Sequence, residues 1–350
     1  MSEGTLKEIA IGELSVGQGE ITLSRIEQAR ERIAGSVVRT PVARSALLSE
    51  RAGAPVCLKL EHRQTTGSFK LRGASNAVLS LSQAQKARGV IGVSTGNHGR
   101  GLAYAAKAAG VRCIICMSEL VPANKVAGIE ALGAEVRIIG RSQDDAQLEV
   151  DRLVREEGMT ALPPFDHADV ISGQGTLGLE ILEDVPDLGT LLVPLSGGGL
   201  ISGVAVAVKA LRPQARIIGV SMERGAAMYE CQKAGKPILV EELPTLADSL
   251  GGGIGLENRY TFGIVKDLVD DIVTLTEAEI ADAIRHAYWQ EQEIIEGSGA
   301  VGIGALLADK VSGLTDASGP VVALISGRNI DMALHHRVVS GEAPDIYGDS

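Results

Sequence analysis

Along this chain a short apolar run, a turn carrying glycine or serine, and a helical pattern follow one another repeatedly, and few folds accept that order. Between Gly89 and Gly158, Val90–Val93, Cys113–Met117 and Glu135–Ile139 read as strands, and Ala103–Ala109, Asn124–Leu132 and Ser142–Glu157 as helices. Gly110 and Gly133 close two of those helices just before the next strand, where a left-handed residue belongs. A second series places strands at Leu191–Pro194, Ile217–Ser221, Asp271–Leu275 and Val321–Ile325, with helices at Leu200–Leu211 and Glu277–Glu291. Strands separated by helices pair in parallel, so the expected class is α/β. Only 3% of residues are aromatic against 45% hydrophobic, which leaves cores of Val, Ile, Leu and Ala, suited to buried parallel strands.

The first region supplies an amphipathic helix at Thr22–Ile33, a break at Thr40-Pro41, a short helix at Ser45–Arg51 and a strand at Val56–Leu60. Pro163-Pro164-Phe165-Asp166 marks a return to it. Residues 72–162 therefore read as a small domain inserted in a larger one built from 1–71 and 163–350, and 1–19 as a loose arm. A net charge of −11 argues against nucleic acid or an anionic membrane as partner. No apolar run approaches the ~20 residues of a membrane span. The acidic start lacks the apolar segment of a signal peptide, so a cytoplasmic location is expected. Cys113-Ile-Ile-Cys116 fits a C-x-x-C pattern. On a strand, however, residues three apart face opposite sides, and no second pair completes a zinc site, so buried thiols are expected. Asn124-Lys125 and Asp144-Asp145 read as solvated helix faces.

Lys70 is the residue most at odds with its surroundings. It follows a strand and a polar loop and sits in the first turn of a helix expected to begin near Ser68. There the N–H groups lack partners, the potential is positive, and a cation costs a few tenths of a kcal/mol. Such a site favours the neutral amine, the form that attacks carbonyls. A plain solvated lysine is the competing explanation. Ser196-Gly197-Gly198-Gly199-Leu200 lies where a strand turns into a helix, so its N–H groups converge as an anion cradle. Ser94-Thr95-Gly96-Asn97-His98-Gly99 occupies a similar turn. Gly297-Ser298-Gly299-Ala300-Val301-Gly302 matches G-x-G-x-x-G but follows a helix, so a dinucleotide site is not expected.

S-F-K-x-R-G-A at 68–74, the 94–99 and 196–200 turns, and Ser326-Gly327-Arg328-Asn329 together resemble the fold-type-II pyridoxal-phosphate (PLP) enzymes. The likeness is to the threonine dehydratase and serine racemase branch and spans residues 20–335. Arg63–Gly67 and Met222–Tyr229 look most like the hydroxyectoine-utilisation dehydratases. The resemblance implies a tryptophan synthase β-like fold of two open parallel-sheet domains with PLP in the cleft between them. It implies that Lys70 carries the cofactor beside Phe69 and takes the Cα proton. Asn97 would bond the phenolic oxygen, Ser196, Gly197, Gly198, Gly199 and Leu200 the phosphate, and Ser326 the pyridine nitrogen. Ser249 (in Thr245–Ser249) and Glu296 would neighbour the ring. Ser94, Thr95, Gly96, Asn97 and His98 would hold an amino-acid carboxylate.

Thr95 stands where racemases of the family have a serine that works on the face opposite the lysine. The implied reaction is β-elimination from a β-hydroxy amino acid or a hydroxyectoine-derived one, with a homodimer expected. Rivals are a racemase, a β-replacement synthase and a non-catalytic PLP-binding regulator. Met228 and Tyr229 stand where some relatives place a metal-binding acid near Glu223, so no metal is expected. Arg328 replaces a common glycine; its side chain would reach either the ring or solvent. With only about 20 residues after Asn329, no regulatory domain of about 50 residues or more is expected there.

Overall fold

The computed structural model describes residues 20–94, 96–121, 123–315 and 319–342. The expected N-terminal arm lies outside them. The chain opens with α1 (Leu23–Ile33), β1 (Val42–Ser45), α2 (Ala46–Ala52) and β2 (Val56–Lys59). There follow α3 (Lys70–Ser80), α4 (Gln83–Arg88), β3 (Val90–Val93), α5 (Asn97–Ala108), β4 (Cys113–Met117), α6 (Ala123–Glu130), β5 (Glu135–Ile138), α7 (Gln143–Glu157) and β6 (Thr160–Ala161). The next elements are α8 (Ala168–Asp184), β7 (Thr190–Pro194), α9 (Gly199–Leu211), β8 (Arg216–Met222), α10 (Ala227–Ala234) and α11 (Thr261–Leu268). The last are β9 (Asp271–Leu275), α12 (Glu277–Trp289), α13 (Gly297–Leu307), β10 (Val321–Leu324) and α14 (Met332–Val339).

Two sheets result. The larger has the order β1-β2-β10-β7-β8-β9, parallel except for β1, which runs antiparallel to β2. The smaller, β5-β4-β3-β6, is wholly parallel and is built entirely from chain between β2 and β7. On this basis we propose 72 and 162 as the boundaries of the inserted unit. Val321–Leu324, all buried, lies between β2 and β7 at the centre of the large sheet, with helices on both faces. Cys113 and Cys116 are buried on opposite faces of β4, in separate apolar clusters, and burial pushes their thiols up to about 12 and about 11. They are inert strand residues. Asp145 is more than a solvated face: with Ser142 it forms a capping box at the start of α7.

Helix α8 was not legible in the sequence because it is buried almost all round and so has no polar stripe. It crosses α9 and α3 at very short range. A Cβ on Gly203 would fall 2.2 Å from Ile171 O, and one on Gly173 would fall 2.6 Å from Arg72 O. Beside this crossing lies a buried ionic cluster. Arg72, 1% exposed, reaches Glu61 at 2.7 and 3.0 Å and Glu180 at 2.7 and 3.0 Å. Lys59, fully buried, reaches Glu180 at 3.0 Å, Asp184 at 3.1 Å and Thr40 O at 2.7 Å. Burial works to raise the Glu180 pKa, but Arg72 and Lys59 outweigh it and hold the group below the usual carboxylate range.

Arg72 thus fixes the first turn of the Lys70 helix to α8. Its removal leaves Glu61 buried without its guanidinium. Arg72→Met is therefore expected to lower stability by roughly 3–5 kcal/mol, read by urea unfolding of the apoprotein. A change below about 1 kcal/mol would mean that the cluster is no more than a surface pair in effect.

Candidate active site

The cleft lies at the C-terminal ends of the large-sheet strands, where four helix N-termini converge: Lys70 of α3, Asn97 of α5, Gly199 of α9 and Gly297 of α13. Their summed dipoles favour anions and neutral amines. The helix carrying Lys70 begins two residues later than the sequence suggests, because Ser68 bridges Gly327 and Phe69 N–H donates to Ser326 O at 3.1 Å. Helix α5 begins earlier than expected, at Asn97. Gly99 and Gly101 dilute its apolar pattern; Gly101 does so because a Cβ there would meet the Lys70 carbonyl carbon at 3.1 Å.

Lys70 is half-buried, and its Nζ donates to Pro164 O at 2.8 Å. Burial lowers its pKa to about 8, with the Glu296 carboxylate acting in the opposite direction. Phe69, Asn97, Ser196–Leu200, Ser249, Glu296 and Ser326 line the same pocket as Lys70. Gly198 has φ +88, and the side chains of Met228 and Thr261 lie 2.9 Å from where its Cβ would be. The ring of Phe165 fills the corresponding space on Gly197 at 2.5 Å. The glycines are therefore required by shape as well as by chemistry.

Glu296 is buried, accepting from Asn97 Nδ2 at 2.7 Å and from Asn329 N–H at 2.9 Å. Burial first, and the Asp248 charge second, raise its pKa to about 7. Ser249 is exposed at the rim, 3.5 Å from Asn97 Nδ2. Ser94 Oγ is taken up locally, accepting from Gly96 N–H at 3.3 Å and Gly99 N–H at 2.9 Å. The His98 ring turns away from the cleft to Leu162 O at 2.8 Å. Burial above all lowers its pKa to about 3, so it is neutral. Thr95 lies outside the described residues. Arg328 is exposed, which resolves the direction left open by the sequence in favour of solvent.

Several residues that matter here carried no local signal. Phe165 and Pro164 belong to a segment read only as a boundary. Asp166, next in line, accepts from the consecutive N–H groups of Arg259, Tyr260 and Thr261 at 2.6, 2.9 and 3.0 Å and so ties that segment to α11. Ser298 Oγ is buried in the pocket wall with no hydrogen-bond partner among the described residues. Ser326 Oγ reaches only Ser298 O, at 3.5 Å. A glycine cradle, a lysine with a lowered pKa and two under-bonded buried hydroxyls fit a phosphorylated pyridine aldehyde with a ring nitrogen to be met. Near Glu223 the companion is a lysine: Lys310 Nζ lies 3.5 Å away and also donates to Thr274 O and Glu279. Among the described residues no cluster of three or more His, Cys, Asp or Glu could hold a metal, and no helix is long and apolar enough to cross a membrane.

Comparison with known proteins agrees with this geometry. Residues 33–327 match the family model "Pyridoxal-phosphate dependent enzyme". A provisionally named threonine dehydratase of Sinorhizobium fredii is 60% identical over 92% of this chain and 96% of its own. The L-threonine ammonia-lyase of Thermotoga maritima is 41% identical over 91% of this chain and 78% of its own. The structure of maize serine racemase superposes with a TM-score of 0.86 at 34% identity, covering 92% of this chain and 97% of that one. The cofactor is therefore PLP, and the chain belongs to the pyridoxal-phosphate-dependent enzymes, as a lyase of the threonine dehydratase and serine racemase branch.

Proposed function

We propose that the protein removes water from a β-hydroxy amino acid by β-elimination, giving a 2-oxo acid and ammonia, and that a hydroxyectoine-derived amino acid is among its substrates. The observation that carries this reading is one lysine amine, with its pKa lowered to about 8, set between a glycine cradle and the N-terminus of α5. PLP, when bound, supplies an electron sink that acidifies the Cα–H bond of an attached amino acid. Ser196–Leu200 would hold its phosphate through their N–H groups, and the Asn97 amide would meet its phenolic oxygen. The Ser326 hydroxyl would face its ring nitrogen without forcing a proton onto it.

The turn at 94–98 would hold the substrate carboxylate at the N-terminus of α5. Lys70 Nζ takes the Cα proton, a task for which a pKa near the working pH is well suited. The Cα–H and Cβ–O bonds would break as a Cα=Cβ bond forms, the β-hydroxyl leaving as water with the proton that Lys70 took, and the released enamine would hydrolyse in solution to the 2-oxo acid and ammonia. The family resemblance of Arg63–Gly67 and Met222–Tyr229 supports the hydroxyectoine-derived substrate. Steady-state release of 2-oxo acid from a panel of L-serine, L-threonine and other hydroxy amino acids tests the proposal. No turnover with any member would sink it, and would favour a non-catalytic cofactor-binding role.

Racemisation is a second reading, favoured by the likeness to maize serine racemase. It needs an acid/base on the face opposite Lys70, and Thr95 offers a hydroxyl whose χ1 is restricted by its methyl group. Elimination needs Lys70 alone. Elimination is therefore expected to outrun racemisation, and Thr95→Ala to slow any racemisation more than elimination. Following D-enantiomer and 2-oxo acid together from one L-substrate measures both; dominant racemisation in the parent protein would reverse the assignment.

A further inference from the structure

The Asn97 carboxamide is held at both ends, and its neighbours dictate which end is which. Asn329 Nδ2 lies 3.0 Å from Thr66 O, a carbonyl that can only accept, so that end of Asn329 is its NH2 group. The same nitrogen lies 2.6 Å from Asn97 Oδ1. Asn97 must present oxygen there, because a flipped amide would set two NH2 groups against each other. Asn97 Nδ2 then falls 2.7 Å from Glu296 Oε1, again a donor meeting an acceptor. Glu296 Oε2 accepts from the Asn329 backbone N–H at 2.9 Å, which closes the ring of contacts. One Asn97 N–H is spent on Glu296. The other has Ser249 Oγ, 3.5 Å away at the rim, as its nearest acceptor, and is the donor left over for the cleft.

Asn329 is itself rigidly placed. Arg328 N–H donates to Gly67 O at 2.9 Å, and Ser68 bridges Gly327. Gly67, with φ +80, lies flat against the Asn329 carboxamide, where a Cβ would come 2.6 Å from Oδ1. The side chain therefore joins the loop before Lys70 to α5 of the small sheet and, through Glu296, to the start of α13.

We propose that Asn329 is a positioning residue: by donating to both Thr66 O and Asn97 Oδ1 it sets the orientation of the Asn97 amide and so aims its remaining N–H at the bound cofactor. This rests on the reading of Asn97 as a cofactor contact, and the experiment separates the two. Apoenzyme is titrated with PLP, reading the dissociation constant and the visible absorbance band, for Asn329→Asp, Asn329→Leu, Asn97→Ala and the two double variants. Asn329→Asp sets an acceptor against two acceptors and is expected to weaken PLP by about tenfold and to shift the band; Asn329→Leu does so less. In the Asn97→Ala background neither is expected to add more than about twofold, since coupled residues lose additivity.

Additive effects in the double variants, or single variants that bind PLP unchanged, would overturn the proposal. An Asn97→Ala protein that keeps both affinity and band would overturn the underlying contact instead, and the positioning role with it. The melting temperature of each apoprotein is measured alongside. Where Asp or Leu melts well below the parent, Asn329→Ser, small enough to sit over Gly67, completes the cycle with the same expectations.

Discussion

Lys70→Ala is expected to yield a colourless protein with no measurable turnover, losing the visible absorbance of bound cofactor and at least about a thousandfold in rate together. Two separate tasks fall on this one amine, attachment of the cofactor and removal of the Cα proton, so neither can survive alone. A variant that stays active would sink the assignment. A pH experiment adds a sign. Only the neutral amine attacks an aldehyde, and a pKa of about 8 means that it is the minor form at pH 7. The neutral fraction rises from about a tenth at pH 7 to about nine tenths at pH 9. The rate of PLP capture by apoenzyme should rise correspondingly over that interval and level off above it. An ordinary solvated lysine would still be climbing at pH 10, which is the outcome that would contradict the burial of this amine.

Gly198→Asp is expected to abolish useful cofactor binding, raising the PLP dissociation constant by roughly a hundredfold or more. Three effects act in one direction. The residue has φ +88, which an aspartate adopts only with strain. Its Cβ would lie 2.9 Å from both Met228 Cε and Thr261 Cβ. Its carboxylate would bring a like charge to the place meant for a phosphate. Equilibrium titration of apoenzyme with PLP measures the loss. Unchanged affinity would mean that the phosphate lies elsewhere. Gly198→Ala, which keeps the strain and the crowding but adds no charge, separates the steric part from the electrostatic one.

The parts of the site that the sequence exposed are those whose chemistry needs a particular backbone shape over a few consecutive residues. Ser196–Leu200 is legible because a strand, three glycines and an apolar helix leave little else for that turn to be. Lys70 is legible because a cation at a helix start contradicts local stability. Residues that enter from far along the chain left no such mark: Pro164 meets Lys70 across 94 positions, and Asn329 meets Asn97 across 232. Fold class followed from alternation, yet α8, apolar and glycine-bearing on nearly every side, has no amphipathic period to reveal it. β1 was missed for a related reason, being a four-residue antiparallel edge with a single buried position.

The meeting of four helix N-termini on one cleft has a practical consequence for the bench. Before cofactor or substrate arrives, such a cleft is expected to accept small oxyanions in general. Buffer identity then becomes a kinetic variable. Inorganic phosphate or sulfate would compete with PLP at Gly197–Gly199 and with a substrate carboxylate at the head of α5. A Michaelis constant taken in phosphate buffer would then report that competition as much as affinity, whereas the same assay in a cationic buffer with chloride as counter-ion would not.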